Sequence, residues 1–177
     1  MTNFEFTIIA SGLDPQADDF EDRFYNAGCD DALVSFQKGH IIVDFDREAE
    51  TIDDAIATAV ACVVKAGAQV SRIEPDPLVS LAEIAARSNL SRAALTHYSK
   101  GQRGSGDFPA PVARVTSASP LWNWAHVSLW LYTNRKLSLD DAVQAAVVAE
   151  ANKAVSAGEL RLSGRLKKRR QDLQKVA

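Results

Sequence analysis

A chain of 177 residues can form one sizeable domain or two small ones. Its 46% apolar and 24% charged residues are the balance of a globular protein, excluding collagen-like, disordered and disulfide-scaffold classes. The net charge of −3 hides opposed halves: residues 1–77 carry 16 acids against 5 bases, a net of −11, and residues 78–177 carry 15 bases against 7 acids, a net of +8.

The longest apolar runs, Ala55 to Val64 and Ala142 to Ala149, fall short of the roughly 20 residues needed to cross a bilayer. The opening Met1-Thr2-Asn3-Phe4-Glu5-Phe6 lacks a basic start followed by an apolar stretch, so no signal peptide or membrane association is expected. Cys29 and Cys62 are the only cysteines. They read as buried free thiols, and a cytoplasmic location is the corresponding expectation. The basic half is a candidate for polyanion contact, although solvated charged surfaces on both halves would give the same totals.

Phe4 to Ala10, rich in β-branched and aromatic residues and ended by Ser11-Gly12, predicts a strand. A helix is expected after Pro15, with Phe20, Phe24 and Ala27 on one face and Gly28 as its stop. Ala32 to Phe36 and His40 to Phe45 flank Gln37-Lys38-Gly39, a hairpin signal. Thr51 to Ala66 predicts a second helix with an Ile52, Ile56, Ala59, Val60 and Val63 stripe, closed by Gly67. Ala68 to Ile73 is a final strand before the breaker Glu74-Pro75-Asp76-Pro77. The order β-α-β-β-α-β is the ferredoxin-like split arrangement, assigned to residues 1–74. Its first loop carries Asp14 where an acylphosphatase-like enzyme would need an arginine. Dimerisation or capture of a protein partner, on the sheet face left uncovered by helices, is the expectation for this domain.

Ser80 and Glu83 have capping-box spacing. Leu81, Ile84 and Ala85 then make an apolar face, Asn89 falls at a turn, and Ser91 can cap a second helix. On that helix Leu95 and Tyr98 are expected to face inward, leaving Arg92, Ala93, Thr96 and His97 outward. A plain helical hairpin core gives the same period. Downstream come a Gly-rich loop (100–107), the arm Phe108-Pro109-Ala110-Pro111-Val112, a polar turn and Leu121-Trp122-Asn123-Trp124. Asn123 can cap a helix bearing Val127, Trp130 and Leu131.

Over residues 78–132 this succession resembles the winged helix-turn-helix modules of AlpA-type prophage regulators and excisionases, which are related to the MerR family. The proline arm and the Trp122-to-Leu131 closing segment carry the likeness most specifically. The resemblance implies a winged helix-turn-helix domain, set at 78–136, so that with the ferredoxin-like segment the chain is expected to be α+β. It also implies double-stranded DNA as partner, with helix 91–99 in the major groove and the 108–122 wing alongside. On it, Arg92 is the guanine-reading candidate. Ala93 belongs to the outer face, Thr96 and His97 reach bases or phosphate, and Ser91 with its helix start suits a phosphate. Lys100 and Arg103 would follow the strand alongside, and Arg114 would approach the backbone or the minor groove. Two departures from the pattern are a longer inter-helix loop and a wing tip without a basic residue. Tyr98 and the three tryptophans read as core.

Residues 137–177 are expected to form a helical extension: a helix from Ser138 to about Ala157, then a basic segment containing Lys167 to Arg170. That segment reads as a solvated, partly frayed terminal helix, with a sequence-independent phosphate clamp as the functional alternative. His40, His97 and His126 lie on different elements and neither cysteine is at ligand spacing from them, so neither a metal nor another cofactor is expected. No nucleophile or phosphate-cradling motif is present, so no enzyme activity is expected. The leading expectation is a DNA-binding transcriptional regulator of repressor type acting as a homodimer. The alternatives are an antitoxin- or adaptor-like interaction module and an excisionase-like architectural factor.

Overall fold

The computed structural model describes all residues, 1–177. The chain is mixed α and β, with seven helices, a four-stranded antiparallel sheet and a separate two-stranded one. Its contacts divide it into two units: residues 1–75 with 147–176, and residues 76–146 with Ala177. Sequence alone suggests three segments instead, with the C-terminal one separate. The long helix of that C-terminal segment gives its first turns to the second unit and its remainder to the first.

In the first unit, β1 (Thr2–Ser11), α1 (Phe20–Ala27), β2 (Ala32–Gln37), β3 (His40–Ala49), α2 (Ile52–Lys65) and β4 (Gln69–Glu74) follow in the expected order. The sheet order is β2-β3-β1-β4, every neighbour antiparallel. The β2–β3 turn narrows to Lys38-Gly39, both at positive φ (52° and 80°), the conformation whose twist matches paired strands. β3 alternates strictly between buried and more exposed residues, while β1 buries Ile8, Ile9 and Ala10 in succession. Ile41, Val43 and Phe45 on β3, and Phe6, Ile8 and Ala10 on β1, are buried and pair across the same face. Packing against this face is the apolar side of α2, whose Ala55, Ile56, Ala59, Val60 and Val63 are wholly buried. Thr51 caps α2 by accepting from the Asp54 amide.

The first helix begins later than the sequence suggests. The Asp14 carboxylate accepts from the Gln16 amide (2.9 Å), and two backbone turns follow before α1 starts at Phe20. Short acidic side chains compete in this way with helical bonding. Gly28, at φ 100°, then ends α1 as expected.

The basic terminal segment is not a frayed, solvated helix. Ser163–Val176 forms α7, with Leu162, Leu166 and Leu173 buried. The Arg170 Nε donates to the Asp53 carboxylate on α2 at 2.6 Å. Arg165 is held between Glu150 and Glu159, both at 2.5 Å. A leucine row at 4-and-7 spacing that finds an apolar wall is driven onto it by burial. The preceding helix α6 (Leu139–Ser156) places Asn152 at the outer edge of β4: its side chain accepts from the Ile73 N–H and donates to the Ile73 carbonyl, both at 2.8 Å.

In the second unit, α3 (Leu81–Ser88), α4 (Arg92–Ser99) and α5 (Trp124–Thr133) surround one aromatic-rich core. Two short strands, β5 (Leu78–Val79) and β6 (Trp122–Asn123), pair with each other. No helix in the chain is long and apolar enough to cross a membrane.

Candidate functional site

The second unit is fixed locally by its caps. Ser80 accepts from the Glu83 amide (3.3 Å) while the Glu83 carboxylate accepts from the Ser80 N–H (2.7 Å). The Ser80 N–H first, and the Ser80 hydroxyl after it, hydrogen-bond the Glu83 carboxyl and hold it below its ordinary range. Asn89 turns the chain at φ 59°, a left-handed conformation that short polar side chains tolerate. Ser91 then caps α4 by accepting from the Ala94 amide (3.1 Å), and Asn123 caps α5 from the His126 amide (3.2 Å).

Tyr98 and the three tryptophans are buried as expected. Val79, Ile84, Leu95, Val127 and Leu131 are fully enclosed among them. The Trp130 ring meets the edges of Tyr98 (5.1 Å) and Phe108 (5.0 Å). The indole N–H groups find partners, Trp122 on the Pro109 carbonyl and Trp130 on the Asp107 carboxylate, both at 2.9 Å. Asp107 also accepts from Ser105, and these two donors, Ser105 first, lower its pKa. Buried indole N–H groups need such acceptors. The effect is to tie the Gly-rich loop onto the core from its far side.

This packing sorts the expected site residues. Along α4, Ser91, Arg92, Ala93, His97 and Lys100 are exposed and Thr96 is half-buried, while Leu95 and Tyr98 face the core. The Thr96 hydroxyl donates to the Arg92 carbonyl (2.9 Å) and so stiffens the helix. The His97 Nδ1 lies 2.9 Å from the Gln102 Oε1, which fixes the ring against the loop that follows. Arg103 is exposed, but its guanidinium sits 5.4 Å over the Tyr98 ring. Lys136 lies 5.5 Å from the same ring, so two cations share one aromatic. Six of the eight expected residues therefore lie on α4 or at its ends. Arg114 does not; it sits alone on the loop between Ala113 and Leu121, at φ 50°.

The 108–122 segment, expected as a hairpin wing, takes a different form from a regular hairpin. Its arms meet at one bridge: Val112 and Ala113 donate to the Leu121 carbonyl (2.8 and 3.2 Å), and Leu121 donates to Ala113 (2.9 Å). Pro109, Pro111 and Pro120 supply no N–H, so a longer ladder cannot form. The end of the second arm pairs instead with β5, through Leu78↔Asn123 and Val79↔Trp122. Val112 (52%) and Val115 (62%) are exposed on this loop.

Two charged clusters carry no signal that the sequence reading used, both in the first unit. Arg47 is buried and grips Asp31 with both oxygens (2.7 and 2.8 Å), the Gly28 carbonyl (2.8 Å) and Thr58 (3.2 Å). Its phase is readable, since it alternates with Ile41, Val43, Phe45 and Ala49 on the covered face. The Asp53–Arg170 pair spans 117 residues and leaves no local signal. Along α4, exposed Arg92, His97 and Lys100 share the outward side with the Ser91 and Thr96 hydroxyls. Comparison with protein-family models, curated proteins and solved structures returns no match.

Proposed function

We propose that residues 76–146 act as a winged helix-turn-helix that binds double-stranded DNA, and that the protein is a transcriptional regulator working as a dimer. In this reading α4 enters the major groove. Arg92 reads a guanine edge, His97 and Lys100 contact bases or phosphates, and the 112–121 loop lies alongside as the wing, bringing Arg114 to the backbone. The first unit, read as a ferredoxin-like domain, provides assembly or signal input.

The observation that carries this reading is the division of α4 into two faces. Leu95 and Tyr98 anchor it in the aromatic core, and Arg92, Ala93, His97 and Lys100 stand clear of every intramolecular apolar contact in that core. Excess base over acid in the unit, seven residues against five, points the same way without choosing a sequence.

Fluorescence anisotropy on duplex fragments from the region flanking its own gene tests the proposal. Binding should weaken steeply with added salt. Arg92→Ala should lower the preference for the specific fragment over random duplex by roughly 5- to 150-fold, the worth of about 1–3 kcal/mol for one bidentate base contact. An unchanged preference in a folded Arg92→Ala protein removes that contact. Salt-insensitive or absent binding to any duplex removes the function.

A further inference from the structure

The four-stranded sheet has two edges, and they are treated differently. At β4 the Asn152 side chain occupies both the N–H and the carbonyl of Ile73 at 2.8 Å, standing in for a neighbouring strand. At β2 nothing comparable exists. The two-residue turn makes Gln37↔His40 a hydrogen-bonded pair, so Ser35↔Ile42 and Leu33↔Asp44 follow as bonded pairs along the register. Val34 and Phe36 therefore aim their N–H and carbonyl groups away from β3. No backbone partner takes them up.

Natural edges are blunted by lysine, proline, bulges or a covering segment. The β2 sequence Ala-Leu-Val-Ser-Phe-Gln has neither charge nor proline, and its pairing to β3 runs without a bulge. Large apolar groups flank the edge: Leu33 is 71% exposed, Phe36 46%, and Tyr25 of the adjoining helix 67%. A cleft of about 250 Å³ runs between α1 and β2, and another of about 480 Å³ lies on the opposite sheet face against Leu33. Glu21 and Asp22 line the first; Glu5, Asp44 and Asp46 line the second. Aside from Asp31, which Arg47 neutralises, these acids have no ion-pair partner, and no lysine or arginine lines either cleft.

We infer that the free β2 edge is a docking site for an extended, basic segment of another protein, which adds to the sheet as a fifth strand. Main-chain bonds to Val34 and Phe36 set the register. Alternate side chains of the incoming strand fall into the two acid-lined clefts, so lysine or arginine interleaved with β-branched residues matches both faces. A second copy of this chain fits badly, because pairing β2 with β2 brings the same acids together.

The probe is an end-capped nonapeptide alternating lysine and valine, titrated into the full-length protein and followed by amide NMR. The Val34 and Phe36 amides should gain protection from exchange, and affinity should fall with salt. The glutamate–valine counterpart should bind at least tenfold more weakly. Phe36→Pro removes an outward N–H without touching the β3 ladder and should weaken binding tenfold or more. Leu33→Lys, which leaves the backbone intact, should weaken it as well. Equal binding of the two peptides, protection elsewhere than β2, or unaltered affinity in both variants overturns the inference. So does dimerisation without peptide that Phe36→Pro abolishes, because the occupant would then be a second copy.

Discussion

Arg170→Ala is the sharpest test of how the terminal helix is held. Asp53 is 1% exposed and its only side-chain ion-pair partner is Arg170, at 2.6 Å; the second carboxylate oxygen has no hydrogen-bond partner. Removing the arginine leaves a buried carboxylate without a counter-charge. Breaking a buried pair from one side costs about 3–5 kcal/mol. The Arg170 side chain is 18% exposed, so some solvent reaches the vacancy and the lower end, roughly 3 kcal/mol, is expected. In a chain of this size that lowers the melting temperature by roughly 6–12 °C. Asp53→Asn in the same background removes the stranded charge and should recover more than half of the loss. Urea unfolding of the single and double variants, read as midpoints at constant slope, measures both effects. A loss under about 1 kcal/mol, or no recovery from Asp53→Asn, refutes the claim that a buried charge pair pins α7 to α2.

Gly104 sits at φ 81° and a Cβ there would lie 3.3 Å from the Tyr98 ring; Gly104→Ala should destabilise the second unit by about 1–2 kcal/mol, visible in tryptophan fluorescence during unfolding. Asn89→Gly should be neutral or slightly stabilising, and Asn89→Val should cost about 1–2 kcal/mol, because only the former accepts the left-handed turn without strain. The Glu83 carboxyl is held below its ordinary value of 4.5 by the Ser80 donors. It therefore contributes stability above that value, and the contribution disappears as pH falls through the lower folded value. Melting temperatures of Glu83→Gln and the parent should differ at pH 6, and the gap should shrink as pH falls below 4.5; a constant gap contradicts the capping-box account.

What is legible in the sequence is local. Ser80, Ser91, Thr51 and Asn123 announce helix starts because a cap is a bond between neighbours. The strand faces can be read because alternation is a property of consecutive residues. The late start of α1 is hidden, because Pro15 resembles a first helical residue whereas Asp14 satisfies the Gln16 amide itself. The single bridge between Ala113 and Leu121 follows from the prolines of that segment, which mark an arm in the sequence but also delete the donors a ladder needs. The pairing of Trp122 with Val79 and the Arg170–Asp53 bridge depend on residues 43 and 117 apart. No pattern of period 2 or 3.6 encodes such partners.

The charge asymmetry is the case in which sequence order misleads about how charge is shared between the folded units. A +8 half and a −11 half suggest one basic and one acidic body, the basic one a candidate for polyanion contact or simply a solvated surface. The fold regroups these residues, because α7 and the end of α6 belong to the acidic unit. The unit of residues 1–75 and 147–176 then holds 18 acids and 13 bases, a net of −5, and the other unit 5 acids and 7 bases, a net of +2. Arg170 and Arg165 are already neutralised by Asp53, Glu150 and Glu159, so a phosphate clamp built on the whole basic run loses two of its members. Any grip on DNA by the second unit must come from few cations placed well, on α4 and the adjoining loops. A total of +2 supplies only a weak sequence-independent contribution. Affinity would then depend on base contacts and on pairing two modules across half-sites, which is why Arg92 bears more of the reading than the sum of the charges does.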